Sequence, residues 1–497
     1  MRTALLAAVA LLLGLASCKS DRQDAALQNG QCDTYVGVSV RFPAPETRAL
    51  PDDHNKLDGE WQGRDVIKKI KVYVATTSNG ATTISSNQFT EANFGGINNG
   101  ILAPNLAVEA KSGDKVKVYV VINDVNSKVT SILDQKASDG ATFDAEFQKA
   151  VAAVAAIADV AKYEAEKDIV LMTNEKAPVD MTIAPNVSKE DAIGGKANRV
   201  EVRVSRVASR AIVTVDDQVK KTIEVKRSFT DAQGVTKEET TATVTVKDIA
   251  YQVTGSALQF NVLEDRKDWK VAAPVYDFAP TSSTWADLVT EGANKMLYSD
   301  AEGYKAAITA TDNTVENVKK ALGEEKFSKF VLPVTHAEGK YMKGNTTMFE
   351  IKATFTVDKI DGAAPTSTDA QTVYLGLSDG KFYSTKEKAE AMDVNATSTS
   401  EKKQSAKEYK NGEMYYYIWL NPNVDYNDLT KTISESPTVR NQVYHAHITG
   451  FGEMGVADKD EIKPDEPLET KKTHLSVQLQ VLPWTIHSYK VDLINRY

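Results

Sequence analysis

The residues with the clearest chemical potential are a serine and two histidines. Gly376-Leu377-Ser378-Asp379-Gly380 has the G-x-S-x-G spacing of a nucleophile elbow, in which a serine on a sharp turn attacks an acyl carbon, and His445 lies downstream as a conceivable base. A hydrolase of that build needs strands alternating with helices around the elbow, and no such alternation surrounds it. Asp379 and Gly380 stand instead between strand-like residues 372–377 and Lys381-Phe382-Tyr383, which reads as a hairpin turn. His445 and His447 would face the same side of a strand, a spacing that some metal sites use, but sequence proximity supports no third ligand. Tyr415-Tyr416-Tyr417 with Trp419 could form a sugar-binding platform, although alternation along a strand sends half of them into a core. No P-loop, H-E-x-x-H, EF-hand loop or Rossmann fingerprint is present. The expectation is no catalytic residue, no metal and no cofactor.

Two further residues invite covalent processing. Arg2 precedes an apolar run over residues 4–15, too short to span a bilayer comfortably and laid out as a secretory signal. The run ends in Leu15-Ala16-Ser17-Cys18, similar to a bacterial lipobox, so Cys18 is expected to be diacylated and to become the first residue after signal removal. Acyl chains contribute about 0.8 kcal/mol per buried CH₂, enough to tether a folded protein without a membrane span. No later stretch is apolar for long enough to suggest a transmembrane helix. Downstream, Pro43-Ala44-Pro45-Glu46-Thr47-Arg48-Ala49-Leu50-Pro51 disfavours sheet pairing and leaves Arg48 extended and open to a protease. Cys18 and Cys32 are the only two cysteines, so no disulfide framework holds the body together, and Cys32 would be a free thiol.

The elements around these residues are strands. With 497 residues, 42% hydrophobic and 26% charged, the chain should form two or three folded domains, and a net charge of −9 argues against nucleic acid as a partner. Val36, Val38, Val40 and Phe42 share one phase of a period-two pattern over residues 34–42. Alternation returns at residues 67–76 and 115–123, and residues 143–168 carry Phe143, Phe147, Val151, Val154 and Ile157 at the spacing of one amphipathic helix. A turn-rich stretch over 185–195 precedes a fresh strand at 199–204, which puts a domain boundary near residue 197. Strands follow at 211–215, 242–253, 329–334, 348–357, 372–377 and 413–420, with a short helix near 313–322. Residues 457–473 have the acidic, proline-containing composition of a solvated linker. Beyond it, Leu475, Val477, Leu479 and Val481 line one face of a regular strand, followed by Trp484.

Several blocks resemble the minor (short) fimbrium subunit family of type V pili: Gly59-Glu60-Trp61 with strand 66–74, residues 115–124, Pro280-Thr281-Ser282-Ser283-Thr284, residues 415–422, 439–445 and 481–489. The resemblance implies a mainly β fold of two transthyretin-like β-sandwich domains with short helical insertions. It also implies a life cycle in which a lipoprotein precursor at the outer membrane is cut by an arginine-specific protease, here between Arg48 and Ala49. The lost N-terminal strand would be replaced by the C-terminal strand of a neighbouring copy, building a head-to-tail adhesive filament at the cell surface. The expected organisation is a signal over 1–17, a propeptide over 18–48, domains over 49–197 and 198–456, a linker over 457–473 and a donor strand region over 474–497. Partners implied are further copies of the chain, accessory fimbrial subunits, the protease, the membrane and host receptors. The alternative is a monomeric surface lipoprotein that binds glycans or host proteins, or a tip or anchor component.

Overall fold

The computed structural model describes residues 17–19, 32–42, 66–93, 97–98, 101–102, 107–165, 167–263, 266–267, 270–271, 278–298, 303–310, 328–420, 434–468, 475–476, 479–483 and 490–495. The chain divides into two compact units, the first formed by residues 1–43, 67–150 and 172–205, the second by 44–66, 151–171 and 206–497.

In the first unit the alternating segments form one curled sheet. Lys69–Ser78 pairs antiparallel with both Ala81–Thr90 and Gly113–Ile122. Asn79 and Gly80, both at positive φ, make the tight turn between the first two strands. The sheet continues through Met172–Asn174 and Arg199–Arg206 to Thr34–Arg41. Its inward side chains, including Val36, Val38, Val40, Val72, Val74, Val118, Val120, Val200 and Val204, close into one core, as period-two patterning requires. The strand Arg199–Arg206, expected to open the second domain, pairs in parallel with Thr34–Arg41 and is thereby held in the first unit.

The helix expected over 143–168 is shorter and differently placed. Gly140–Lys149 is helical and buries Phe143 and Phe147, whose rings pack on Tyr119 with centroids 5.1 and 4.8 Å away. Ala150 then turns extended, at φ −62° and ψ 133°, and Val151–Ala153 pairs with Gln259–Asn261 as a strand. Alanine favours helix by only tenths of a kcal/mol per residue, and ladder bonds together with burial of Ala152 and Val154 outweigh it.

The second unit is a sandwich. One sheet is built on Ser209–Lys220 and Gln442–Phe451, which run parallel. The other is the antiparallel series Thr222–Thr230, Thr236–Thr254, Met348–Val357 and Glu413–Trp419. Val213, Val215, Ala446 and Ile448 of the first meet Val246, Phe349, Ile351, Phe355 and Ile418 of the second in the core. The molecule is thus mainly β, with two β-sandwich units and short helices, in agreement with the sequence pattern. The helix expected near 313–322 lies outside the described residues.

Candidate functional site

The segment with most at stake is Thr34–Arg41, because it lies just before the proline-rich stretch containing Arg48. It is flanked on one side by Arg199–Arg206, in parallel, and on the other by Ala107–Ala110 and Ile101–Leu102, antiparallel. Val36, Val38 and Val40 are at most 1% exposed, and Phe42 packs partly buried against the same cluster. Burial of three valines stabilises the unit by roughly 1.5–3 kcal/mol each before ordering costs. The opposite face is polar: Tyr35 donates to Glu109 at 3.0 Å, Ser39 donates to the Val200 carbonyl at 3.3 Å, and Arg41 pairs with Glu201 at 2.5 Å. The hydrogen bond from Arg41 holds the Glu201 carboxyl below its ordinary range.

Residues 184–198, which include the turn-rich stretch 185–195 expected to precede a domain boundary, wrap this strand. Tyr35 donates its amide to the Val187 carbonyl and Gly37 to the Asn198 carbonyl, at 3.2 and 3.0 Å. Asn198, held at φ +49°, donates its side-chain amide to Thr34 Oγ1, the Tyr35 carbonyl and the Ala184 carbonyl at 2.9, 3.1 and 2.8 Å. Sequence reasoning missed Thr34, Gly37 and Asn198. The signal was present in the Asn- and Gly-rich turns, but turn residues report backbone conformation and not the strand the turn encloses.

Arg48, Ala49, Val477 and Trp484 lie outside the described residues. Leu475 falls in strand Leu475–Ser476, and Leu479 and Val481 in Leu479–Pro483. Leu479–Pro483 pairs antiparallel with Gln442–Phe451 of the chain's own second unit, and Leu475–Ser476 pairs with Lys490–Asn495.

The expected solvated linker is corrected by the structure over residues 457–468. Its carboxylates are ion-pair partners: Glu466 meets the fully buried Lys343 at 2.5 Å, and Glu461 meets Lys407 at 2.8 Å. Lys459 pairs with Glu350. Ile462 and Leu468 are buried, and Pro464 packs on Gly344, where an added Cβ would stand 2.7 Å from the proline's own. Acidic, proline-containing composition indicates a solvated chain only when nothing complementary lies beneath it, and here buried lysine and a glycine notch do. Residues 469–474 lie outside the described residues.

This strap also covers the aromatic strand. Tyr417 and Trp419 are each 2% exposed, and Trp285 stacks on Tyr417 at 6.2 Å while donating its indole N–H to the Lys459 and Ile462 carbonyls. Their faces are not open to a sugar, whereas Tyr415 of the same strand is only partly buried.

The G-x-S-x-G segment joins Val373–Gly376 to Phe382–Tyr383 as an antiparallel hairpin. The Ser378 amide donates to Gln404, and Asp379 accepts from Tyr383 at 2.6 Å. His445 hydrogen-bonds Thr214 Oγ1 at 2.7 Å, as does His447, whose other nitrogen lies 3.1 Å from Asp216. The two histidines do share a face, and among the described residues no group of His, Cys, Asp and Glu is arranged to hold a metal. Burial, and then the neighbouring His447, push the His445 imidazole well below its ordinary value. A depressed histidine stabilises the fold fully above the unfolded value near 6.5 and loses that contribution as pH falls. Urea melts are expected to show stability declining below about pH 6.5 by up to about 1.4 kcal/mol per pH unit, with a shallower slope in His445→Gln.

Cys32 is disulfide-bonded, correcting the expectation of a free thiol, and the chain's only other cysteine is Cys18. Among the described residues no helix is long and apolar enough to cross a membrane.

A family model described as major fimbrial subunit protein type IV, fimbrillin, C-terminal, matches residues 407–490, a span that includes strands Glu413–Trp419 and Gln442–Phe451. Two proteins named minor fimbrium subunit Mfa1, both from Porphyromonas gingivalis, are 28% identical over 518 and 520 residues, covering 97% of this chain and 97% of each relative. A crystal structure of the fimbrilin FimA from Porphyromonas gingivalis W83 is 13% identical, with a TM-score of 0.39, covering 94% of this chain and 99% of that one. Two minor fimbrium subunits are thus matched nearly end to end, with the fimbrillin C-terminal region inside that match, and the chain is similar to them along almost its whole length.

Proposed function

We propose that this chain is a structural subunit of a surface fimbrium, made as a lipoprotein acylated at Cys18 and polymerised by strand exchange once an arginine-specific protease cuts between Arg48 and Ala49. The observation that carries this reading is the placement of Thr34–Arg41: a fully paired strand with three core valines on the N-terminal side of Arg48. Cleavage turns it from a covalent part of the sheet into a dissociable one. Its loss leaves an apolar groove between two strands with unpaired backbone groups, which a second copy's C-terminal strand can fill through Leu475, Val477, Leu479 and Val481, with Trp484 beyond them. Each copy then gives one strand and receives one. Such joining does not close on itself and propagates as a filament. Accessory subunits terminate it, the membrane holds it through lipid, and host receptors are its adhesive targets.

The chain's pairing of Leu479–Pro483 with its own second unit is the resting arrangement of the donor in this reading, so exchange releases two strands, one from each partner. The test treats the purified, lipid-free precursor with an arginine-specific protease, sequences the new N-terminus and runs the product unboiled on a gel. A start at Ala49 and a ladder that vanishes when residues 475–497 are deleted support the proposal. A product that stays monomeric after cleavage overturns it.

A further inference from the structure

The strand Thr34–Arg41 is closely overlaid at Gly37. A Cβ added there would stand 2.1 Å from the Ala192 carbonyl oxygen and 2.6 Å from its carbon, far inside van der Waals contact. The obstacle is backbone and not the tip of a side chain. It belongs to the short helix Lys189–Ile193, whose Ser188 cap accepts from the Asp191 amide at 3.1 Å and whose Asp191 pairs with Lys196 at 2.7 Å. On both sides of the helix the main chain is bonded to the strand, through Val187 to Tyr35 and through Asn198 to Gly37. Residues 184–198 therefore form a clamp whose closed position leaves room only for glycine.

The sequence after Gly455 contains no glycine. No strand from the C-terminal region can take the place of Thr34–Arg41 while the clamp is shut. We propose, resting on the strand-exchange reading, that the Ala192 carbonyl is the specificity element of the groove. Closed, it admits only the chain's own glycine-bearing strand; to admit a second copy's strand it moves back by about 1.4 Å or more. The precursor is thereby guarded against invasion by neighbours before cleavage.

The same contact selects a register. On the polar face of the donor, Ser476 is smaller than His474, Gln478 and Gln480. Seating Ser476 under Ala192 needs the least clamp movement. Entry in the direction of the original strand then sets Leu475, Val477, Leu479 and Val481 in the places of Val36, Val38, Val40 and Phe42, so that every aliphatic meets the core phase.

The experiment cleaves the full-length precursor in the presence of excess fluorescent peptide spanning residues 469–497 and follows the initial rate of its incorporation. Peptides carrying Ser476→Gly, Gln478→Gly or Gln480→Gly are compared with the unaltered sequence. Glycine weakens any strand, so the last two serve as controls for that cost. The expected result is incorporation about tenfold faster for Ser476→Gly alone, because it removes an overpacked contact. Acceleration by glycine at another position overturns the register, and acceleration by none overturns the clamp while uptake of the unaltered peptide still upholds exchange. No uptake of any peptide defeats the strand-exchange reading itself.

Discussion

Replacing Asp168 with alanine is expected to lower the stability of the second unit by about 3–5 kcal/mol, the cost of removing one partner from a buried ion pair. Asp168 and Arg210 are 0% and 1% exposed with their charged atoms 3.1 Å apart, and the guanidinium also lies 4.6 Å from the centre of the Phe330 ring. The pair ties Lys167–Val170, in the excursion through residues 151–171, to Ser209–Lys220 in the main sheet of the same unit. Taking the carboxylate away leaves a guanidinium that solvent reaches poorly. The double variant Asp168→Leu with Arg210→Met removes both charges and keeps apolar volume, so it should be markedly more stable than Asp168→Ala. Urea denaturation of the three proteins checks this, and equal losses in the single and double variants would show that Coulomb attraction is not what makes the site sensitive.

The second large effect is expected from Val38→Asp, at about 4 kcal/mol or more, since Val38 is 1% exposed among the aliphatic side chains of the first unit and an unpaired carboxylate there must be desolvated or protonated. The location of the damage distinguishes it from an ordinary core lesion. If the strand is discarded with the propeptide, the defect belongs to the precursor alone. Val38→Asp loosens the strand and with it the clamp, so precursor supplied with excess peptide spanning residues 469–497 should recover part of the first unit's melting transition without proteolysis, the peptide taking the vacated place. A comparable charge at Val118, on a strand that is retained, should not be rescued by the same peptide.

Much of the fold was legible because two-residue periodicity survives any tertiary context. The phases of Val36, Val38 and Val40, and the alternation in Gly113–Ile122 and Met348–Val357, each named a buried face that the structure contains. The hairpin around Asp379 and Gly380 was legible for a related reason, since turn chemistry is local. Helix length was not, because the alanines after Lys149 have a propensity weaker than one sheet pairing.

Residues 457–468 and 184–198 mark the limit more sharply. Both have the polar, turn-rich composition of linkers, and both are docked, one on Lys343, Lys407 and Gly344, the other on Thr34, Tyr35 and Gly37. By itself the sequence determined the strands, their buried faces, the absence of an elbow fold around Ser378 and the family resemblance, because these depend on local pattern. Only the tertiary structure decided that Asn198 grips the Thr34–Arg41 strand, that Ala192 closes over Gly37 and that a salt-bridged strap hides Tyr417. Those contacts join residues up to about 160 positions apart, and composition cannot state what a polar segment rests upon.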